Sequence, residues 1–155
     1  MPRIVWTEHA LPSLAFGLLT GLVTTVHHLH AALVMRSGGP GMHVVWNEAV
    51  LLPATLASMV LFLRDGHRWA LRVYLVIALL GFLGLGLYEG GWNHTAKLVG
   101  HLRLDGACAD VRSILPAGDP HAWFHEITGI ATFALSMAAS CFTLRFALAS
   151  RALRR

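Results

Sequence analysis

Glu48, Glu89 and Glu126 lie in or beside long apolar runs of this 155-residue chain, and histidines accompany each of them. A carboxylate at the centre of a membrane helix costs about 2.5–3.5 kcal/mol, less toward the interface, so these acids need compensation. Arg36 and Lys97 reach only the rim of the runs, and no other basic residue is placed to neutralise all three. Either the acids carry protons or a cation sits among them. Imidazole beside carboxylate, with no converging thiolate, suits iron, manganese, zinc or copper and argues against an iron–sulfur cluster. Three carboxylates overneutralise one divalent ion, whereas two ions leave a small positive charge, and neutral imidazoles then complete the coordination shell. The expected centre is therefore dinuclear. Its metal ligands are His27, His28, Glu48, Glu89, His94, His125 and Glu126, with His30 and His121 in a second tier.

Four apolar segments must carry these residues. Residues 11–35 contain no acid, lysine or arginine, 43–63 contain only Glu48, 69–88 only Arg72, and 121–148 only Glu126 and Arg145. Each is long enough to cross a hydrocarbon core of ~30 Å at about 1.5 Å per residue. Long apolar runs exclude a membrane barrel, whose strands alternate over about ten residues. The composition agrees: hydrophobic residues make up 55% and charged residues 13%, about half the usual charged share. That excludes a soluble domain, a coiled coil and a disordered tail. The net charge of +4, without a basic run interleaved with aromatics, excludes a nucleic-acid module. The expected fold is an all-α integral membrane protein: a single domain over 1–155 forming a four-transmembrane-helix antiparallel up-down-up-down bundle. Its helices are expected at about 11–35, 43–63, 69–100 and 121–149, with an outer loop at about 102–120. The first segment does not read as a removable signal, because its apolar run is too long and only Arg3 precedes it.

Basic residues orient the bundle. Arg3, Arg64, Arg68, Arg72, Arg145, Arg151, Arg154 and Arg155 fall on one side, which the positive-inside rule makes cytoplasmic together with both termini. This is the pattern of a bacterial-type inner membrane protein. Eight of the ten histidines then lie on the outward, periplasmic half: His27, His28, His30, His43, His94, His101, His121 and His125. The faces agree with the depths. Ser13, Gly17, Thr20, Thr24 and Ala31 form one stripe, with His27 and His28 straddling it; His121, His125, Thr128, Thr132, Ser136 and Ser140 form another. Small and hydroxylated stripes are what membrane helices turn toward each other. Glu89 and His94 stand about 140° apart on a regular helix, but a π-bulge or a break at Gly90-Gly91 would bring them to one side. Gly81, Gly84 and Gly86 admit a close neighbour, and Pro53 frees the carbonyl of Ala49 and predicts a kink beside Glu48.

Other residues have plainer readings. His43, His101 and His121 sit near the interface; Trp46, Trp92 and Trp123 form an aromatic belt. The Gly17/Gly21 spacing serves internal packing, and the C-terminal arginines meet anionic lipid. Cys108 and Cys141 are too far apart along the topology to pair.

In its ingredients the set resembles the ferritin-like di-iron carboxylate bundles, although the Glu-x-x-His pair of those proteins is missing here. His27-His28-Leu29-His30 and His121-x-x-x-His125 echo the histidine boxes of membrane desaturases and hydroxylases, with different spacing and membrane side. The expected activity is redox chemistry on dioxygen or a lipophilic substrate such as a quinone, with iron first and copper or zinc next. Asn47, Asn93 or Tyr88 would orient ligands. Expected partners are the bilayer, an electron donor and a second copy or membrane complex, and no nucleic acid. Three alternatives remain open: haem b held by His28 and His125, a metal or proton transporter or sensor, and a metal-free site where paired acids shuttle a proton.

Overall fold

The computed structural model describes residues 6–34, 47–96, 99 and 120–152, and among these the chain is helical with no strand. The first rod, α1, runs through Trp6–Ala10 and Leu11–Leu33; the second, α2, through Asn47–Leu51 and Leu52–Asp65. The third, α3, is continuous from Arg68–Val76 through Ile77–Phe82 and Leu83–Leu85 to Gly86–Ala96, and α4 is Pro120–Ala152. Three stretches, Glu8–Leu33, Arg68–Ala96 and His121–Arg151, are long and apolar enough to cross a membrane. The described part of α2 is not among them, and the expected span 43–63 begins outside the described residues.

Two prolines explain where the rods begin. Proline lacks an N–H and its ring collides with the carbonyl four residues back. Pro12 follows the π-helical turn Trp6–Ala10, and Pro53 follows the π-helical turn Asn47–Leu51. Widening the turn relieves the ring without breaking the rod. The first helix therefore starts five residues earlier than the expected Leu11, because Pro12 lies inside a rod and not at its start. At Pro53 the expected irregularity takes the form of this wide turn, and Thr55 Oγ1 donates to the Leu51 carbonyl at 2.6 Å.

α2 ends at Gly66, whose φ of 70° is the left-handed conformation that favours glycine, and its N–H returns to the Phe62 carbonyl at 2.9 Å. His67 is extended and α3 starts at Arg68, one residue before the expected boundary. The last helix also outruns its expected end at 149, reaching Ala152.

Hydroxyl and imidazole contacts set the directions of the rods. Ser13 Oγ lies 2.8 Å from Thr143 Oγ1 near one end of α1, and His27 Nδ1 lies 2.9 Å from Thr128 Oγ1 toward the other, so α1 and α4 run in opposite senses. Ser13 also meets the Tyr74 hydroxyl at 2.5 Å, while His27 faces Glu89, so α3 runs with α1. The buried face of α1 comprises Ser13, Gly17, Thr20, Gly21, Thr24, His27, His28 and Ala31, which is the stripe read from the sequence. Gly17 packs on Phe82 and Gly21 on Leu52, so this glycine pair serves contacts within the chain. Outward leucines and valines, among them Leu22, Leu33, Leu80 and Leu148, remain exposed, as lipid-facing positions would. The apolar core, with Met59, Tyr74, Phe82 and Phe146 fully buried, occupies the end away from the histidine cluster.

The closest approach is between α3 and α4. A Cβ added at Gly90 would stand 2.5 Å from both the Gly129 carbonyl oxygen and the Phe133 nitrogen, and one at Gly86 would run into Ser136. Gly84, by contrast, faces open space, so of the three glycines expected to admit a neighbour only Gly86 does so tightly. Gly90→Ala should therefore push α3 off α4 and destabilise the protein by about 1–3 kcal/mol. Gly84→Ala should be nearly neutral in the same thermal-unfolding measurement.

Candidate metal centre

Three rods bring the donors together. His27 and His28 follow one another on the buried face of α1, with 1% and 7% of their surface exposed. Glu89 and His94 come from the coil Gly86–Ala96, which is π-helical throughout, and Thr95 Oγ1 donates to the Gly90 carbonyl five residues back at 2.8 Å. Closing turns over five residues places Glu89 and His94 one above the other, as the sequence reading of Gly90-Gly91 requires. His94 is 5% exposed and its ring lies on Gly129, where any side chain would collide with it. His125 comes from the first turns of α4. The ring of His27 is the hub: its centroid lies 4.0 Å from His125 in a stack, 4.8 Å from His94 and 5.2 Å from His28. The His94 and His125 rings are 5.0 Å apart. Two groups could hold a metal ion, His27/His94/His125 and His27/His28/Glu89, each with its ligand atoms within 4.8 Å of one another.

Hydrogen bonds fix which atoms point inward. Thr128 Oγ1 donates to the Phe124 carbonyl at 2.8 Å and also approaches that of His125 at 3.1 Å, so its proton is engaged. Its oxygen then accepts from His27 Nδ1–H, and this network assigns the His27 tautomer. In the neutral ring Nε2 of His27 then carries the lone pair, and this atom is buried and makes no hydrogen bond. It faces Glu89 Oε1 at 3.8 Å, beyond hydrogen-bond length. The other oxygen of Glu89 accepts from Asn93 Nδ2 at 2.9 Å, which holds the carboxylate in place. His94 Nδ1 donates to Glu126 Oε2 at 3.0 Å and thereby turns its Nε2 away from Glu126. Nδ1 of His125 is likewise buried without a hydrogen bond.

The structure brings His27, His28, Glu89, His94 and His125 into the two groups, and sets Glu126 behind His94. His30 and His121 meet each other at 3.3 Å on the exposed edge, with the His30 ring 6.5 Å from that of His125. Glu48 lies in the wide turn of α2, but its side chain, like that of Asn47, falls outside the described residues, as do His43, His101 and Cys108. Asn93 is the orienting group found; Tyr88 is 67% exposed and does not serve. Thr128 and Gly129 went unassigned in the sequence reading of the site. Thr128 was visible there as part of a hydroxyl stripe, but nothing local marks Gly129, whose role is to leave room for a ring from another helix.

No protein-family model, curated protein or solved structure matches this chain. The site must be judged by its own geometry. If Thr128 orients His27, Thr128→Val should weaken binding of added Fe(II) or Zn(II) about 10–100-fold, measured by calorimetry on the purified protein. Unchanged affinity would mean that His27 is held by something else.

Proposed function

We propose that this chain is an integral membrane metalloprotein with four transmembrane helices, up-down-up-down, and a non-haem dinuclear centre toward the extracytoplasmic face. The observation that carries this reading is the buried lone pair of His27 Nε2 aimed at a carboxylate oxygen 3.8 Å away. Two electron-rich atoms so placed repel unless a proton or a metal ion lies between them. Metal–nitrogen bonds of about 2.0–2.1 Å and metal–oxygen bonds of about 2.0–2.2 Å match that gap. His28 completes this group with His27 and Glu89. His94 and His125 offer nitrogen to a second ion, and Glu126 steadies His94 in the way carboxylates steady metal-bound histidines. Glu48 is the remaining carboxylate proposed, on the helix whose Leu52 packs at Gly21 of α1.

A nitrogen and carboxylate set of this kind suits iron first, then copper or zinc. Bound iron would supply electron transfer or oxygen activation. The chain's own residues would fix ligand orientation and keep bulk water out through the packing of α1, α3 and α4. The substrate class is dioxygen or a small lipid-soluble molecule such as a quinone, with electrons from a membrane partner. Both termini and the turn at Gly66 face the cytoplasm in this reading, following the arginines. The crowding of rings favours compact ions over haem b. A macrocycle on His125 would have to spread through His27 and His94, whose rings stand 4.0 and 5.0 Å from it.

The test is metal content and an optical spectrum on full-length protein purified without chelator. Two iron ions per chain and no Soret band are expected. His125→Ala and Glu48→Ala should each empty the centre, and full occupancy after either change would defeat the assignment. A Soret band would mean haem. A second prediction concerns Glu89→Gln, which keeps the shape and the Asn93 contact but removes the charge facing His27. It should lower iron content at least about tenfold while leaving helical content unchanged by circular dichroism.

A further inference from the structure

The end of the molecule away from the histidine cluster has a cavity of its own. α3 begins its span at Arg68 and α4 closes its span at Arg151. Between these two ends lies a cavity of about 150 Å³ lined by Arg68, Arg72, Arg151 and Ser150, and among the described residues no carboxylate lines it. Leu71, Leu75 and Ala147 form its apolar wall. Three arginines, all solvent-exposed, line this one small cavity, and an anion seated there would be attracted by all three. Guanidinium forks are matched in shape to phosphate oxygens.

Ser150 adds an independent sign. It is 5% exposed and its hydroxyl has no hydrogen-bond partner. The other hydroxyls of α4 are engaged: Thr128, Thr132, Ser136 and Ser140 donate to carbonyls of their own helix, and Thr143 pairs with Ser13. A buried hydroxyl left over beside three arginines is a donor awaiting an acceptor. Because both helices reach the limit of their apolar spans here, the cavity sits at the level of lipid headgroups, where the exposed Trp69 also belongs.

We infer that this cavity binds a phosphate ester anion, with Arg68, Arg72 and Arg151 around its oxygens and the Ser150 hydroxyl donating to one of them. Leu71, Leu75 and Ala147 accept the apolar part of the ligand. The ester belongs either to a lipid headgroup or to a soluble phosphorylated compound, and the experiment separates the two sources.

The full-length protein is placed in nanodiscs of phosphatidylcholine containing phosphatidylglycerol, and the lipids it keeps are read by native mass spectrometry. Wild type should retain phosphatidylglycerol over phosphatidylcholine by about tenfold or more. The double variant Arg72→Gln/Arg151→Gln should lose that preference. Ala147→Phe should lose it too, by filling the cavity with every charge intact, which answers the case where losing arginines disturbs insertion. Arg64→Gln removes an arginine at the same end that pairs with Asp65 at 2.8 Å outside the cavity, and it should retain the preference. Retention that resists millimolar inorganic phosphate identifies a lipid source. Displacement by phosphate, with phosphate bound by wild type and not by Ala147→Phe, identifies a soluble one. Equal retention by wild type and Ala147→Phe, or equal loss in Arg64→Gln, overturns the site.

Discussion

α3 and α4 touch backbone to backbone, and the histidine cluster depends on that contact. At Gly90 the space beyond Cα is already filled by the Gly129 carbonyl and the Phe133 nitrogen, and at Gly129 it is filled by the His94 ring. Separating the two rods by the width of one methyl group would carry His94 away from His125 and Glu126 together. Membrane helices gain no hydrophobic advantage from meeting each other in lipid, so close van der Waals packing through small residues has to supply the association. Here the same small residues also set the distance between the histidines that could hold a metal ion. Packing and site geometry are one constraint.

Much of this was legible in the sequence because charge in an apolar run has few explanations. The stripe from Ser13 to Ala31 on α1 is the buried face, and the coincidence of His27, Glu89, His94 and His125 at one level survives in three dimensions. The Gly90-Gly91 pair between Glu89 and His94 signalled a π-bulge or a break, and the structure has the wide coil, which aligns residues five apart. Less legible were the outcomes that depend on two helices at once. Glu126 and His125 are neighbours in sequence, yet one lies behind His94 and the other stacks on His27. Nothing in a single helix distinguishes them; the choice is made by which neighbour each one meets. The early start of α1 was hidden for a different reason. Pro12 looks like the first turn of a helix, and only the widened turn ahead of it lets the rod continue backward to Trp6.

The molecule is polarised along its length. Toward the arginine end, aromatic side chains fill the interior: Phe146 is in edge contact with Phe62 and Tyr74, and the Tyr74 hydroxyl ties α3 to Ser13 of α1. Toward the other end the interior is imidazole and carboxylate. Well-packed aromatic cores resist rearrangement, whereas donor groups held by one hydrogen bond each can adjust. The chain thus combines an aromatic end with a polar one, and the hydroxyl of Thr128 belongs to the polar end through His27.

The coil at Gly86–Ala96 gives this arrangement slack. A helix wound five residues to the hydrogen bond carries more chain per turn than an ordinary one, and that surplus can pass from turn to turn as bonds exchange partners one at a time. No backbone group need be stripped bare in lipid for this to happen. Glu89 and His94 thereby stand on a stretch of surplus chain, while Tyr74 sits on the ordinary α-helical turns at the start of the same rod.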